Sequence, residues 1–204
     1  FVRYADDSMI FCKSKRAARR VKESISRFIE GTLYLKVNKE KTAVSYVQGV
    51  KYLGYSFYVM KGKCRLTVHP KSKSKMKSRL KELTNRSNGW GYVKRKQKLK
   101  EYIGGWIGYY HLADMRRFLL DTDEWLRRRI RMCIWKAWKK PKTKVANLIK
   151  CGIEKSKACE WGNTRKGYWR IADSPILKVA INNDSLRKAG YSTLMGSYLE
   201  WHPK

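Results

Sequence analysis

Two periods of apolar residues alternate along the chain, and each stretch predicts an element. Phe1 to Cys12 places apolar and aromatic residues on either side of Asp6-Asp7, the pattern of a β-hairpin with paired acids at its turn. From Lys15 to Glu30, Ala18, Val21, Ile25, Phe28 and Ile29 recur at helical spacing, with Ser14 as N-cap and Gly31 as stop. Such an amphipathic helix is expected to lie against a sheet. Residues 42–47 and 51–60 then read as strands, Lys61-Gly62-Lys63 as a turn, and residues 64–69 as a returning strand. Together these predict an α+β unit.

The pattern turns wholly helical at Pro70, a residue suited to the first position of a helix. Met76, Leu80 and Leu83 line one face. After an Asn, Ser and Gly loop over residues 85–91, Leu99, Tyr102, Ile103, Trp106, Ile107 and Tyr110 line a second helix. A third is expected from about Thr122 to Lys139, burying Leu126, Ile130, Cys133, Ile134 and Ala137. Three helices with short links suggest a bundle. Pro141 opens a tail of short helices, with Ser174-Pro175 as one helix start. The division expected is 1–69, 70–140 and 141–204.

Charge then narrows the partners. The 204 residues carry 48 Lys and Arg against 16 Asp and Glu, a formal charge of +32. A folded chain this basic repels itself unless a polyanion neutralises it, so nucleic acid is the expected partner. No apolar run approaches the roughly 20 residues of a spanning helix, and no signal peptide is apparent. The cysteines form no Cys-x-x-Cys pair and the histidines are scattered, which argues against zinc and disulfides and fits a reducing cytoplasm.

The basic residues are densest beyond Glu124, the only acid up to Lys144: Arg127, Arg128, Arg129, Arg131, Lys136, Lys139, Lys140, Lys142 and Lys144. This face is a candidate phosphate tracker. Trp125, Trp135 and Trp138, interleaved with it, suit either stacking on exposed bases or burial in a core. Arg165, Lys166 and Arg170 form a second basic group among aromatic residues. At the other end of the chain, Arg3 is the only cation near Asp6 and Asp7, so both acids ionise together only if cations or water screen them.

Tyr4-Ala5-Asp6-Asp7 between apolar strands resembles the catalytic hairpin of reverse transcriptases. The likeness continues through Leu33-Tyr34-Leu35, Asn38, Glu40-Lys41-Thr42 and Tyr52-Leu53-Gly54-Tyr55. Residues 105–110, 125–131 and 135–139 resemble the maturase-specific domain of bacterial group II intron reverse transcriptases. The resemblance implies that 1–69 is the C-terminal half of a polymerase palm, 70–140 a helical thumb (the maturase-specific domain) and 141–204 a small helical extension. It implies that Asp6 and Asp7 hold two Mg2+ ions together with a further aspartate on an upstream strand, which this sequence does not contain. Asp114, Asp121 and Asp123 fall in the thumb and are poor substitutes.

By the same likeness, Tyr4 would lie beside the nascent end, Leu53 and Gly54 would position the primer, and Lys41 would face the leaving pyrophosphate. The implied partners are group II intron RNA, an RNA template/DNA primer duplex, deoxynucleotides and the fingers and palm preceding Phe1, in a bacterial cytoplasm. The chain is then expected to be part of a longer or split polymerase, inactive alone. Two alternatives stay open: a non-catalytic RNA-binding maturase module, and a retron or CRISPR-linked reverse transcriptase sharing the hairpin.

Overall fold

The computed structural model describes residues 1–203 and divides into two compact units, Phe1–His69 and Pro70–Lys204. The first is α+β, the second helical.

In the first unit, β1 (Val2–Tyr4) and β2 (Asp7–Met9) pair antiparallel with Tyr4 opposite Asp7. The loop is therefore Ala5-Asp6, and Asp7 is the first residue of a strand rather than a turn residue. Ala5 holds φ 50°, a left-handed conformation that an L-residue adopts at a cost of about 1–2 kcal/mol. Helix α1 (Lys15–Gly31) follows, with the Ser14 hydroxyl accepting from the Ala17 amide at 3.2 Å. Of the stripe expected to face a sheet, Ala18, Val21 and Ile29 are half-buried and Ile25 and Phe28 exposed.

Residues 42–46 form no strand, and a 3-10 turn spans Val47–Gly49. The period of two survives as alternating exposure, with Thr42 and Val44 half-buried and Ala43 and Ser45 exposed. A strand exists only through a partner's hydrogen bonds, and this stretch finds none within the unit. Beyond it, β3 (Lys51–Tyr52), β4 (Tyr55–Met60) and β5 (Lys63–Val68) make an antiparallel meander. Its two hairpin loops are Leu53-Gly54, with φ 49° and 83°, and Lys61-Gly62, with φ 50° and 73°. Two successive positive φ values are the turn that matches strand twist.

The second unit is built on one helix. α2 (Pro70–Leu83), α3 (Tyr92–Tyr110) and α4 (Arg116–Ala137) contribute Met76, Leu80, Leu99, Ile103, Ile107, Leu119, Leu126, Ile130 and Trp135 to the core. Ala137, expected inside, is exposed, and Ile134 is half-buried. Helix α4 begins six residues before the Thr122 start read from the sequence. Thr122 looks like an N-cap, but its hydroxyl donates back to the Phe118 carbonyl at 2.6 Å within the helix.

Asp123 caps a different helix. α5 (Pro141–Lys150), α6 (Lys155–Gly162), α7 (Tyr168–Ile171), α8 (Pro175–Ala180), α9 (Asn183–Lys188) and α10 (Leu194–Glu200) complete the unit. α5 and α6 meet at Gly162, where any side chain would collide with Val145. α10 packs on α3 and α4, and α7 on α4, so the compact unit does not end at residue 140. At the start of α10 the Asp123 carboxylate accepts from the Leu194 and Met195 amides at 2.8 and 2.9 Å, and the Thr193 hydroxyl accepts from Gly196 at 3.0 Å. The first three amides of α10 are thus satisfied.

Burial pushes the Asp123 carboxyl up from its ordinary value, with the two amides opposing. A folded pKa above the unfolded one means that ionisation weakens this fold: the contribution is complete below the unfolded carboxylate value and lost as pH rises through the folded one. Asp123→Ala is expected to cost about 2 kcal/mol by leaving two buried amides without acceptors, read as a lower denaturant midpoint. Asp123→Asn is expected to flatten the pH dependence of stability across the carboxylate range. An alanine variant as stable as the parent would remove this role.

Candidate nucleic-acid interface

Two features bear candidate chemistry, one in each unit. In the hairpin, residues 1–8 are all exposed, and the Arg3 guanidinium donates to the Ala5 carbonyl at 3.0 Å, closing over the loop rather than pairing with either acid. Asp6 and Asp7 make no ion pair or side-chain hydrogen bond among the described residues. They offer hard oxygen donors suited to magnesium, which binds through one or two carboxylates and keeps several waters. No group of three His, Cys, Asp or Glu able to hold a metal occurs among the described residues.

Leu53 and Gly54 form the second hairpin loop, with both backbones in the left-handed region. Lys41 is exposed, and its amide donates to the Asn38 side chain at 3.2 Å, so local turn geometry fixes its backbone while the ammonium stays in solvent.

In the second unit, residues 70–204 hold 33 Lys and Arg against 11 Asp and Glu. The run along α4 splits into cations that hold the fold and cations that face solvent. Arg129 is buried, donating to the Thr84 hydroxyl at 2.6 Å and to the Lys81 and Thr84 carbonyls at 3.0 and 3.1 Å. Those carbonyls end α2, so the guanidinium sits at the negative pole of that helix. Arg131, 6% exposed, donates to the Ile181 carbonyl at 2.9 Å and to Asn183 at 3.2 Å, at the end of α8. Burial pushes the pKa of both guanidiniums down, without coming near the loss of their charge.

Arg128 is half-buried and donates to the Trp169 carbonyl at 3.0 Å while pairing with Asp173 at 3.3 Å. Of the residues read as a phosphate tracker, Arg128 and Arg131 therefore hold the tail against α4. Spacing carries the signal for Arg129: it lies three residues after Leu126 and four before Cys133, inside the apolar stripe. Trp135 is 2% exposed and belongs to the core; it packs edge-on against the half-buried Trp138. Trp125 is half-buried beneath Arg129.

What remains outward is concentrated where α4 passes into α5. Lys139, Lys140 and Lys142 are exposed and make no ion pair among the described residues. Lys136 reaches Ser87 at 3.3 Å, and Lys144 lies 4.9 Å from the Trp135 ring centre. Arg127 is half-buried, while Arg165, Lys166 and Arg170 are exposed around α7.

Residues 1–57 match the family described as reverse transcriptase (RNA-dependent DNA polymerase), and residues 73–152 match the group II intron, maturase-specific domain. The chain belongs to the group II intron reverse transcriptase/maturases. The two matches run in the order of the two units. The reverse transcriptase match holds the acidic hairpin, Lys41 and the Leu53-Gly54 turn. The maturase match holds α2 to α5 with the Lys139–Lys142 cluster. In this reverse transcriptase/maturase, Arg165, Lys166 and Arg170 lie outside both matched segments. No curated protein matches the chain, and no helix among the described residues is long and apolar enough to cross a membrane.

Proposed function

We propose that the helical unit binds folded group II intron RNA through the outward cations and assists its splicing, while the hairpin unit contributes two carboxylates to copying that RNA into DNA. The observation that carries the first part is the sorting of charge along α4 and α5. Arg128, Arg129 and Arg131 are held by acceptors within the unit, whereas Lys139, Lys140 and Lys142 extend into solvent from a stable helix junction. A net positive unit with its free cations gathered on rigid elements is organised for a phosphate backbone.

For copying, magnesium bound at Asp6 and Asp7 would neutralise charge developing on the transferred phosphoryl group. Tyr4, opposite Asp7 in the ladder, would flank the primer end. Leu53 and Gly54 would bring backbone close to that end, and Lys41 would offer a cation or proton to departing pyrophosphate. A third carboxylate has to come from outside the described residues. The alternative, RNA binding without chemistry, rests on the absence of a three-ligand metal cluster among those residues.

RNA affinity measured against salt tests the binding reading. With a folded group II intron RNA as probe, log affinity is expected to fall steeply and linearly with log salt. The triple variant K139A/K140A/K142A is expected to bind about tenfold more weakly near physiological salt, with a slope shallower by about 2, at roughly 0.7 per lost phosphate contact. A flat salt response in the parent chain would overturn the reading.

A further inference from the structure

Two hollows are lined by cations that reach the rings of the short helix α7. One, of about 450 Å3, is lined by Lys81, Asn85, Arg86 and Arg129 among others. The other, of about 250 Å3, is lined by Arg128, Trp161, Lys166, Arg170 and Asp173 among others. Neither Tyr168 nor Trp169 is in a lining, but each meets a cation that is. The Arg86 guanidinium of the first hollow lies 4.9 Å from the Tyr168 ring centre, and the Arg128 guanidinium of the second lies 3.9 Å from the Trp169 ring centre. Lys166 lies 5.0 Å from the Trp161 ring centre in the second hollow. Tyr168 and Trp169 are nonetheless 36% and 38% exposed.

Arg128 does not move freely over its ring. Its donors are held by the Trp169 carbonyl and its charge by Asp173, itself paired with Lys178 at 2.9 Å. These cations, together with hydrogen bonding from Lys178, hold the Asp173 carboxyl below its ordinary range, so the clamp stays charged. A guanidinium fixed beside an aromatic ring makes a flat platform with an electron-rich face to offer. The two linings together hold six cations against the two acids Glu82 and Asp173.

We propose that Tyr168 and Trp169 form a stacking platform for consecutive unpaired nucleotides, with Arg86, Lys166 and Arg170 as contacts for the connecting phosphates. The ligand class is a single strand, because a duplex hides the base faces that a ring can cover. This deepens the RNA-binding reading by assigning an unpaired segment to two rings outside both matched segments, flanked by Arg86 and Arg128 from the maturase match.

The test uses the whole chain and a labelled 12-nucleotide single strand, offered as RNA, as DNA of the same sequence, and as an RNA duplex. Trp169→Ala is expected to weaken single-strand binding about tenfold, the usual range for one stacked base, and Tyr168→Ala in addition to weaken it further. Trp169→Phe is expected to stay close to the parent. Duplex binding is expected to change less than twofold. The Trp169 carbonyl that receives Arg128 is untouched by these changes, and the melting temperature is measured beside each; Tyr168→Ala alone, also expected to weaken single-strand binding, serves if the Trp169 alanine variant fails to fold.

Ring dependence in the RNA arm assigns the strand to RNA; dependence in the DNA arm alone assigns it to DNA. Equal loss on single strand and duplex, or no loss on either, overturns the platform. Overturned in that way while folded intron RNA still binds with a steep salt dependence, the platform falls alone. If the parent chain binds none of the probes, the RNA-binding reading falls with it.

Discussion

Changing Asp6 and Asp7 together to alanine is expected to lower templated nucleotide incorporation at least a thousandfold, roughly 4 kcal/mol of transition-state stabilisation. The assay is run on the chain alone and with a fingers-palm fragment supplied in trans, because the described residues hold no three-ligand cluster. The size of the effect follows from the role proposed for the two carboxylates: Asp6 and Asp7 would hold magnesium, which would supply charge neutralisation at the transferred phosphoryl group. Both acids are exposed and serve no acceptor role in the fold, so stability is expected to be unchanged. RNA affinity is expected to rise slightly, since two negative charges leave a cationic protein. Incorporation by the double variant at the parent rate would refute the assignment. Full activity of the unsupplemented chain would refute the need for a third acid.

Replacing Arg129 by alanine is expected to destabilise the helical unit by about 3–4 kcal/mol and to lower its melting temperature by about 10 °C. The residue is buried, and its three bonds join α4 to the end of α2. Its removal leaves the Thr84 hydroxyl oxygen and the Lys81 carbonyl without the guanidinium, leaves the Thr84 carbonyl to the Cys133 thiol alone at 3.2 Å, and opens a cavity beside Cys133. Arg129→Lys is expected to recover less than half of the loss, because an ammonium cannot span the three acceptors that a planar fork reaches. Intron RNA affinity, measured below the lowered melting point, is expected to stay within about twofold of the parent. A variant that loses RNA affinity but keeps its melting temperature would mean that Arg129 is a phosphate contact after all.

Turn chemistry and periodicity made much of this architecture legible beforehand. Lys61-Gly62-Lys63 announces a hairpin turn because glycine accepts the left-handed backbone that the second loop position needs, whereas residues 51–60, expected as one strand, are broken by the Leu53-Gly54 loop. Ser14 and Ser174 mark helix starts and do cap them, each accepting from an amide three residues on. The failures share a cause, which is that tertiary partners decide. Thr122-Asp123-Glu124 imitates a helix start, but its threonine bonds back within α4 and its aspartate serves a helix 71 residues away. Residues 42–47 have the alternation of a strand and lack a ladder.

The arginines on α4 were read by charge, which says nothing about which way a side chain points. Their burial depended on helix ends contributed by α2 and α8, and no local pattern around Arg131 names Ile181 as its acceptor. The candidate site was legible in kind but not in membership: the lysines at the α4–α5 junction face outward, while Arg128 and Arg131 are structural. Tyr168 and Trp169 stood in plain view as a basic-aromatic segment, yet only the placement of Arg86 and Arg128 against their rings makes a surface of them.

Because Arg129 and Arg131 end on neutral carbonyl, hydroxyl and amide oxygens rather than on carboxylates, their clamps contain no surface ion pair for dissolved electrolyte to weaken. Concentrated salt would strip a bound polyanion from the outer lysines and ease their mutual repulsion, while these inner fastenings stay closed. Molar sodium chloride is thus a washing condition under which the helical half should come through purification clean, folded and ready to rebind.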